Sequence, residues 1–118
     1  MKKIRIKRIY EEVLEEDGCR ILVDRIWPRG VSKEDAKLDD WNKDVAPSEK
    51  LRKWFNHDPD KFDAFAEKYR KELHDKGDVL ESIRKQAGHN AVTLLYAAKD
   101  TKHNQAIVLR EVLKSLQE

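Results

Sequence analysis

The feature that most restricts the fold is a pair of short apolar runs that lie far apart in the chain. The first run covers residues 21–23 and the second covers residues 91–98. Uninterrupted apolar runs of strand length, with several β-branched residues, are typical of strands that are covered on both faces. Strands of that kind occur in the parallel sheets of α/β proteins. Both runs are therefore predicted to be central strands.

Helical periodicity fills the stretch between the two runs. Ser48 is a predicted N-cap for the first clear helix, and the strongest periodic pattern of the chain follows it. The apolar stripe of that second helix consists of Phe62, Phe65, Ala66, Tyr69 and Leu73. Gly77 is predicted to end it. A further short helix is predicted between Asp78, as its cap, and Gly88 as its stop.

The remaining segments flank these elements. Residues 4–7 alternate between apolar and basic side chains, which predicts a half-exposed strand at an edge of the sheet. Ser32 is predicted to cap a short helical turn, whereas residues 38–45 are predicted to be irregular. A C-terminal amphipathic helix is predicted to begin near residues 103–104. Its apolar positions are Ala106, Leu109, Val112, Leu113 and Leu116.

This order of elements predicts the fold class. Two strands, several helices, a strand and a final helix are typical of an α/β protein. We expect a small layered sheet with mainly parallel central strands and helices packed on it. The 118 residues are enough for one modest core, so residues 1–118 are predicted to form a single domain.

Composition narrows the classes of protein that the chain resembles. Charged residues make up 41% of the chain, but the net charge is only +2, which is unlike the basic face of a non-specific DNA-binding protein. The single cysteine, Cys19, excludes an internal disulfide and is compatible with a reducing compartment. No segment approaches the roughly 20 apolar residues that span a membrane. We therefore expect a cytoplasmic protein with no membrane partner.

The loop after the first run contains the main candidate ligand-binding residues. Arg25, Trp27 and Arg29 lie within residues 25–30, where Pro28 and Gly30 predict a stiff segment with a sharp exit. Two guanidinium groups held on such a loop suit an anion, and Trp27 could stack on a ligand. The alternatives are that the arginines pair with surface carboxylates and that Trp27 packs in the core.

The loop after the second run supplies the other candidate residues. Asp100 and His103 are the predicted catalytic pair, because an imidazole titrates near neutral pH and a carboxylate can orient it. Lys99 and Asn104 are predicted ligand contacts, although helix capping alone would also explain His103 and Asn104. Both loops leave the carboxyl ends of predicted parallel strands. They are therefore expected to form one pocket at the same edge of the sheet.

Several kinds of site have no signature in the sequence. The four histidines and Cys19 lack the spacing of a structural zinc site, and His57 lies in a predicted turn before Pro59. No glycine-rich phosphate loop and no Gly-x-Ser-x-Gly elbow are present. We therefore predict neither a metal nor a cofactor.

The chain also resembles a known family. The segments that carry the resemblance are residues 25–30 (Arg-Ile-Trp-Pro-Arg-Gly), 46–48, 51–55, 57–59, 95–100 and 103–106, with Phe65, Tyr69, Glu72 and Leu73. In this order they are similar to the YeaO-like family, a domain-of-unknown-function group of small bacterial and archaeal proteins. The resemblance implies a compact cytoplasmic protein with no established reaction. Relatives in the broader group place cysteines around the final strand and loop, where this chain has none, so a thiol mechanism does not transfer.

Three classes of function stay open. The leading hypothesis is an enzyme or a small-ligand binder with a pocket for a phosphate or carboxylate group. The second is a nucleic-acid-binding module that uses residues 25–30 and the basic first strand. The third is a protein-interaction domain, for which exposed Trp41, Trp54 or Phe55 would be the sign. The oligomeric state cannot be read from the sequence.

Overall fold

A four-stranded parallel sheet forms the centre of the computed structural model, which describes residues 4–87 and 91–116. The strands, in chain order, are β1 Ile4–Arg8, β2 Cys19–Leu22, β3 Asp40–Trp41 and β4 Val92–Tyr96. Their order across the sheet is β1-β4-β2-β3, and every neighbouring pair is parallel. The α/β fold, the central places of β2 and β4 and the edge position of β1 were all predicted and are confirmed.

Five helices connect and cover these strands. Their bounds are α1 Lys33–Ala36, α2 Glu49–Phe55, α3 Phe62–His74, α4 Gly77–Ala87 and α5 Gln105–Ser115. Short 3-10 turns lie at Glu15–Asp17 and Pro59–Lys61. Two predicted N-caps, Ser32 and Ser48, are confirmed, because Ser32 Oγ accepts from the N–H of Asp35 (3.0 Å) and Ser48 Oγ from that of Leu51 (3.1 Å).

Three details differ from the sequence prediction. Gly77 does not end α3, since that helix ends at His74 and the N–H of Lys76 closes it by bonding to Leu73 O (2.9 Å). Gly77 instead begins α4, and Asp78 lies in the first turn of that helix rather than capping it. The predicted stop at Gly88 lies outside the described residues. β3 was missed because two residues show no periodicity.

Alternate residues of the central strands serve two separate cores. Ile21 and Leu94 face the larger core, which α2, α3, α4 and α5 cover. Leu22 and Leu95 point to the opposite face, where they pack beneath the segment that contains Trp27. This alternation follows from the period of two in a strand. Both faces of β2 and β4 are therefore covered, as the apolar runs predicted.

A buried polar cluster lies on the second face of the sheet. The Arg20 guanidinium donates to Asp17 Oδ2 (2.6 Å) and to the backbone oxygen of Ala36 (2.9 Å). Lys7 Nζ lies 3.0 Å from Asp17 Oδ1, and Thr93 Oγ1 donates to the Asp17 backbone oxygen (2.7 Å). Burial opposes ionisation of Asp17, but its backbone and side-chain hydrogen bonds outweigh it, so the pKa of Asp17 is lowered.

Strand register determines where the loops leave the sheet. Leu22 of β2 pairs with Leu95 of β4, so the two strands end side by side. Their exit loops, which contain Arg25 and Asp100, therefore start as neighbours at one edge. Among the described residues, no helix has both the length and the apolarity that crossing a bilayer requires.

Candidate functional site

A cavity of about 590 Å³ lies at the edge of the sheet where β2 and β4 end. Its size is within the range of small-molecule sites. It is bounded by the two exit loops, by α2 and α3, and by the start of α5. The lining consists of residues 24–26, 46–47, 97–100 and 103–105 with Arg52, Phe55, His57 and Phe65. The two loops thus meet around one cavity, as their topology predicted.

Hydrogen bonds hold the loop after β2 in place at the cavity. Asp24 Oδ2 accepts from the N–H of Ala97 (2.9 Å), which joins this loop directly to the loop after β4. The indole N–H of Trp41 donates to the backbone oxygen of Asp24 (2.7 Å). The Gln105 amide of α5 donates to Asp24 Oδ1. Asp24 therefore connects both exit loops and the last helix.

Arg25 is partly buried in the wall of the cavity. Its Nε donates to the backbone oxygen of Pro47 (3.2 Å), which anchors the guanidinium to the segment before α2. Its two terminal amino groups have no hydrogen-bond partner among residues 4–87 and 91–116. The sequence allowed two interpretations of Arg25, contact with a ligand or pairing with a carboxylate. No carboxylate pairs with Arg25 in the described part of the chain.

Arg52 is a cavity residue that the sequence analysis did not select. It lies on α2, and its Nε is buried without a hydrogen-bond partner in the described ranges. The sequence did contain a pattern that indicates Arg52, because Arg52 and Phe55 are three residues apart and therefore share a helix face. Since Phe55 is buried, that face had to point inward. The cavity thus has two arginines with unused N–H donors.

Asp100 and His103 form a hydrogen-bonded pair on the rim of the cavity. Asp100 Oδ2 lies 2.9 Å from His103 Nδ1, and Asp100 Oδ1 accepts from the N–H groups of Lys102 (2.9 Å) and His103 (3.0 Å). The hydrogen bonds from Lys102 and His103 lower the pKa of Asp100. An ionised carboxylate can only accept, so Nδ1 carries the proton, and Nε2 has no hydrogen-bond partner among the described residues. The imidazole and the Phe62 ring pack in a T-shaped arrangement, 5.2 Å between centroids.

Asn104 also lines the cavity, but both ends of its side-chain amide form hydrogen bonds within the protein. Oδ1 accepts from the N–H of Ile107 (3.2 Å), which caps α5, and Nδ2 donates to the backbone oxygen of Asp100 (3.0 Å). Asn104 is buried. Its predicted place at the helix start is confirmed, and this cap orients the amino end of α5 toward the cavity.

The structure does not bring every predicted site residue to the cavity. Lys99 lines it and is exposed, whereas Trp27 and Arg29 lie outside its lining. The Trp27 indole donates to the backbone oxygen of Val31 (2.6 Å) and packs edge-on against Trp41, 5.1 Å between centroids. Arg29 is exposed, and its backbone oxygen accepts from the hydroxyl of Tyr10 (3.0 Å).

Asp24 has the most perturbed carboxyl of the cavity. Burial raises its pKa to about 6, although the hydrogen bonds from Ala97 and Gln105 act in the opposite direction. No lysine, arginine or histidine forms an ion pair with it in the part of the chain that the structure describes. The sequence indicated Asp24 only as a residue that could orient a neighbouring cation.

Apolar and strained groups complete the wall. The rings of Phe55 and Phe65 stack at 4.2 Å between centroids. Next to Phe55, Asn56 and His57 have φ values of 46° and 56°. Non-glycine residues rarely adopt positive φ, so the predicted turn is present and is strained. Within the described ranges, no three His, Cys, Asp or Glu side chains are grouped as metal ligands.

Comparison with known sequences identifies the family. The family model described as the inactive DUF488-N3 subclade matches residues 3–118. The uncharacterised protein YeaO of Escherichia coli K12 is 44% identical over 116 residues, which cover 96% of this chain and 98% of YeaO. The chain belongs to the YeaO-like DUF488 family. The resemblance predicted from the motifs is thus confirmed.

Two mycobacterial proteins are equally similar to this chain. An uncharacterised protein of Mycobacterium tuberculosis H37Rv is 44% identical over 111 residues, which cover 94% of this chain and 93% of the relative. An uncharacterised protein of Mycobacterium bovis matches to the same extent. No solved structure gave a significant match. Membership of the DUF488 family therefore comes with no named ligand or reaction among these relatives.

Proposed function

We propose that this protein binds a small molecule that combines an anionic group with an apolar body. The proposal rests mainly on the observation that Arg25 and Arg52 line the same cavity. Both guanidinium groups retain N–H donors without partners in the described chain. A buried donor without a partner, such as Arg52 Nε, costs free energy. An anion in the cavity would form charge-assisted hydrogen bonds with the unpaired N–H groups of Arg25 and Arg52.

The rest of the wall fits the same kind of ligand. Lys99 adds a third cation, and the amino end of α5 adds the positive end of an eleven-residue helix. Phe55, Phe65 and Pro47 offer an apolar surface beside these charges. Ligand sites commonly combine a mostly apolar wall with a few polar groups that fix orientation. A carboxylate or phosphate attached to an aromatic or aliphatic group matches this wall.

Binding without catalysis is the form of the hypothesis that we favour. The subclade is described as inactive, and the cysteines expected near the final strand in the broader group are absent from this chain. Cys19 begins β2 and so lies at the end of that strand away from the cavity. We keep the cytoplasm as the expected compartment.

Titration with phenyl phosphate and with 3-phenylpropanoate, followed by ¹H–¹⁵N NMR, tests this proposal. We expect shift changes at the exit loops and at the start of α5, and Arg25→Gln should weaken binding by at least about tenfold. Arg29→Gln is the matched control, because it removes the same charge from the same loop but outside the cavity. Equal losses for the two variants, or no binding of either probe, would contradict the proposal.

Proton transfer is a second candidate function, favoured by the hydrogen-bonded pair of Asp100 and His103 at the rim. His103 Nε2 would exchange a proton with the bound molecule, and Asp100 would hold the imidazole in the required tautomer. Solvent-hydrogen exchange at C3 of phenylpyruvate, where the adjacent carbonyl acidifies the C–H bonds, tests this candidate when its rate above the uncatalysed exchange is measured with the wild-type protein and with His103→Gln. Exchange that is absent, or equal in both proteins, would exclude it for this probe.

A further inference from the structure

We propose that the ligand also carries a protonated amine that Asp24 binds, so that the cavity recognises a zwitterion of the α-amino-acid class with an apolar side chain. This inference rests on the proposed function, because Arg25 and Arg52 are assigned to the anionic end of the same molecule. It adds a cation-binding group next to the anion-binding groups.

The first step is that Asp24 has no cation of its own. The carboxylate lies in the wall of the cavity, where it receives hydrogen bonds from the neutral donors of Ala97 and Gln105. Arg25 follows it directly in the chain, but its Nε donates to Pro47 rather than to Asp24. No other cation of the described residues pairs with Asp24. A carboxylate that is partly buried and has no counter-ion is costly, and a ligand ammonium would reduce that cost.

The second step is that Asp24 has acceptor capacity to spare. Each oxygen of a carboxylate has two acceptor sites, and each Asp24 oxygen accepts one hydrogen bond from the described residues. Those two bonds, with the bond from Trp41 to the backbone oxygen, fix the orientation of the group. An ammonium has three donors, so it can use both oxygens without displacing Ala97 or Gln105.

The third step is the arrangement of opposite charges on successive residues. Asp24 and Arg25 both line the cavity. An α-amino acid likewise presents an ammonium and a carboxylate on a single carbon. The stacked rings of Phe55 and Phe65 lie in the same wall and would receive the side chain. A cationic, an anionic and an apolar contact therefore converge on one ligand of ordinary size.

Three matched probes test the inference with the full-length protein: L-phenylalanine, 3-phenylpropanoate, which lacks the amine, and 2-phenylethylamine, which lacks the carboxylate. At about pH 8, where Asp24 is ionised, we expect L-phenylalanine to bind about tenfold more tightly than either analogue. Equal affinity for L-phenylalanine and 3-phenylpropanoate would overturn the inference and leave the anion site intact. Equal affinity for L-phenylalanine and 2-phenylethylamine would instead overturn the anion site.

A variant assigns the effect to Asp24. Asp24→Asn should abolish the preference for L-phenylalanine while 3-phenylpropanoate still binds, because the variant loses the charge but can keep both hydrogen bonds. The Asn oxygen accepts from the N–H of Ala97, and Gln105 can turn its amide to present an oxygen to the new NH2 group. Asp44→Asn, at an exposed position away from the cavity, should keep the preference. Retention of the preference in Asp24→Asn would contradict the assignment, and a lack of response to all three probes would contradict both proposals.

A pH series on the wild-type protein needs no variant at Asp24. The preference for L-phenylalanine should decrease as the pH falls through about 6, where Asp24 gains its proton. Other titratable groups share the cavity, namely Arg25, Arg52, His57, Lys99, Asp100 and His103. Tyr69 of α3 is also near, since the charge of Asp24 contributes to its raised pKa. A preference that persists unchanged to about pH 5 would overturn the inference.

Discussion

Asp24 accepts a hydrogen bond of 2.9 Å from the backbone N–H of Ala97, which lies 73 residues further along the chain. This bond joins the loop that leaves β2 to the loop that leaves β4. It therefore holds Arg25 on one side of the cavity and Asp100 with His103 on the other. The same carboxylate forms no ion pair among the described residues, so one residue both joins the two loops and places an uncompensated acidic group in the cavity wall.

Replacement of Arg52 by methionine should separate binding from stability. Arg52→Met removes a buried Nε that has no hydrogen-bond partner in the described chain and keeps most of the apolar stem. We expect affinity for phenyl phosphate to fall by about tenfold, and the free energy of unfolding to stay within about 1 kcal/mol of wild type. Calorimetric titration and urea unfolding measure the two quantities, with Arg70→Met on the exposed face of α3 as the control.

Asp24→Asn should change the pH dependence of stability. In the folded protein the pKa of Asp24 is about 6, against 3.8 for the ordinary group, so the folded state binds the proton more tightly than the unfolded state. The free energy of unfolding should therefore fall by about 2–3 kcal/mol as the pH rises from about 4 to about 7.

The variant lacks this titration. The free energy of unfolding of the variant minus that of wild type should therefore rise by about 2–3 kcal/mol from about pH 4 to about pH 7. Urea unfolding of both proteins at each pH measures this difference. Wild-type and variant curves that run parallel across this range would show that Asp24 titrates normally in the folded protein.

Asp17→Asn should be strongly destabilising. Asp17 is the carboxylate of the buried cluster, and its loss would leave the buried Arg20 guanidinium without a counter-ion. Breaking a buried pair in this way costs about 3–5 kcal/mol. Because the pKa of Asp17 is lowered in the folded state, its contribution is complete above the unfolded pKa and is lost as the pH falls through the folded value.

Urea unfolding near neutral pH measures this cost. Glu16→Gln changes the charge of the adjacent exposed residue and should alter stability by less than about 0.5 kcal/mol. A loss for Asp17→Asn no larger than that of the control would mean that the cluster does not stabilise the fold.

Asn104→Ala should weaken both the last helix and the site. The variant removes the cap on the N–H of Ile107 and the donor to Asp100, which should cost about 1–2 kcal/mol of stability. Asn104→Ser keeps a capping oxygen and should recover part of the loss. Thermal unfolding of the two variants measures the difference, and identical melting temperatures would contradict a capping role.

Sequence patterns alone predicted three of the four strands and most of the helices in the described part of the chain. The runs at 21–23 and 91–98 predicted two covered parallel strands, because only such strands bury both faces continuously. Ser32, Ser48 and Asn104 marked helix starts, since capping is a local interaction between residues three positions apart. Parallel topology also predicted that the loops containing Arg25 and Asp100 would share an edge, and both line the cavity in the structure.

The tertiary structure decided which side chains of those loops enter the cavity. Trp27 and Arg29 lie outside the cavity lining, while Arg52 enters from α2 and Asp24 is partly buried beside Gln105. These outcomes depend on contacts between residues distant in the chain, which local patterns do not encode. Sequence periodicity places a residue on a strand, helix or loop, but burial and long-range hydrogen bonds determine its partners and its charge state.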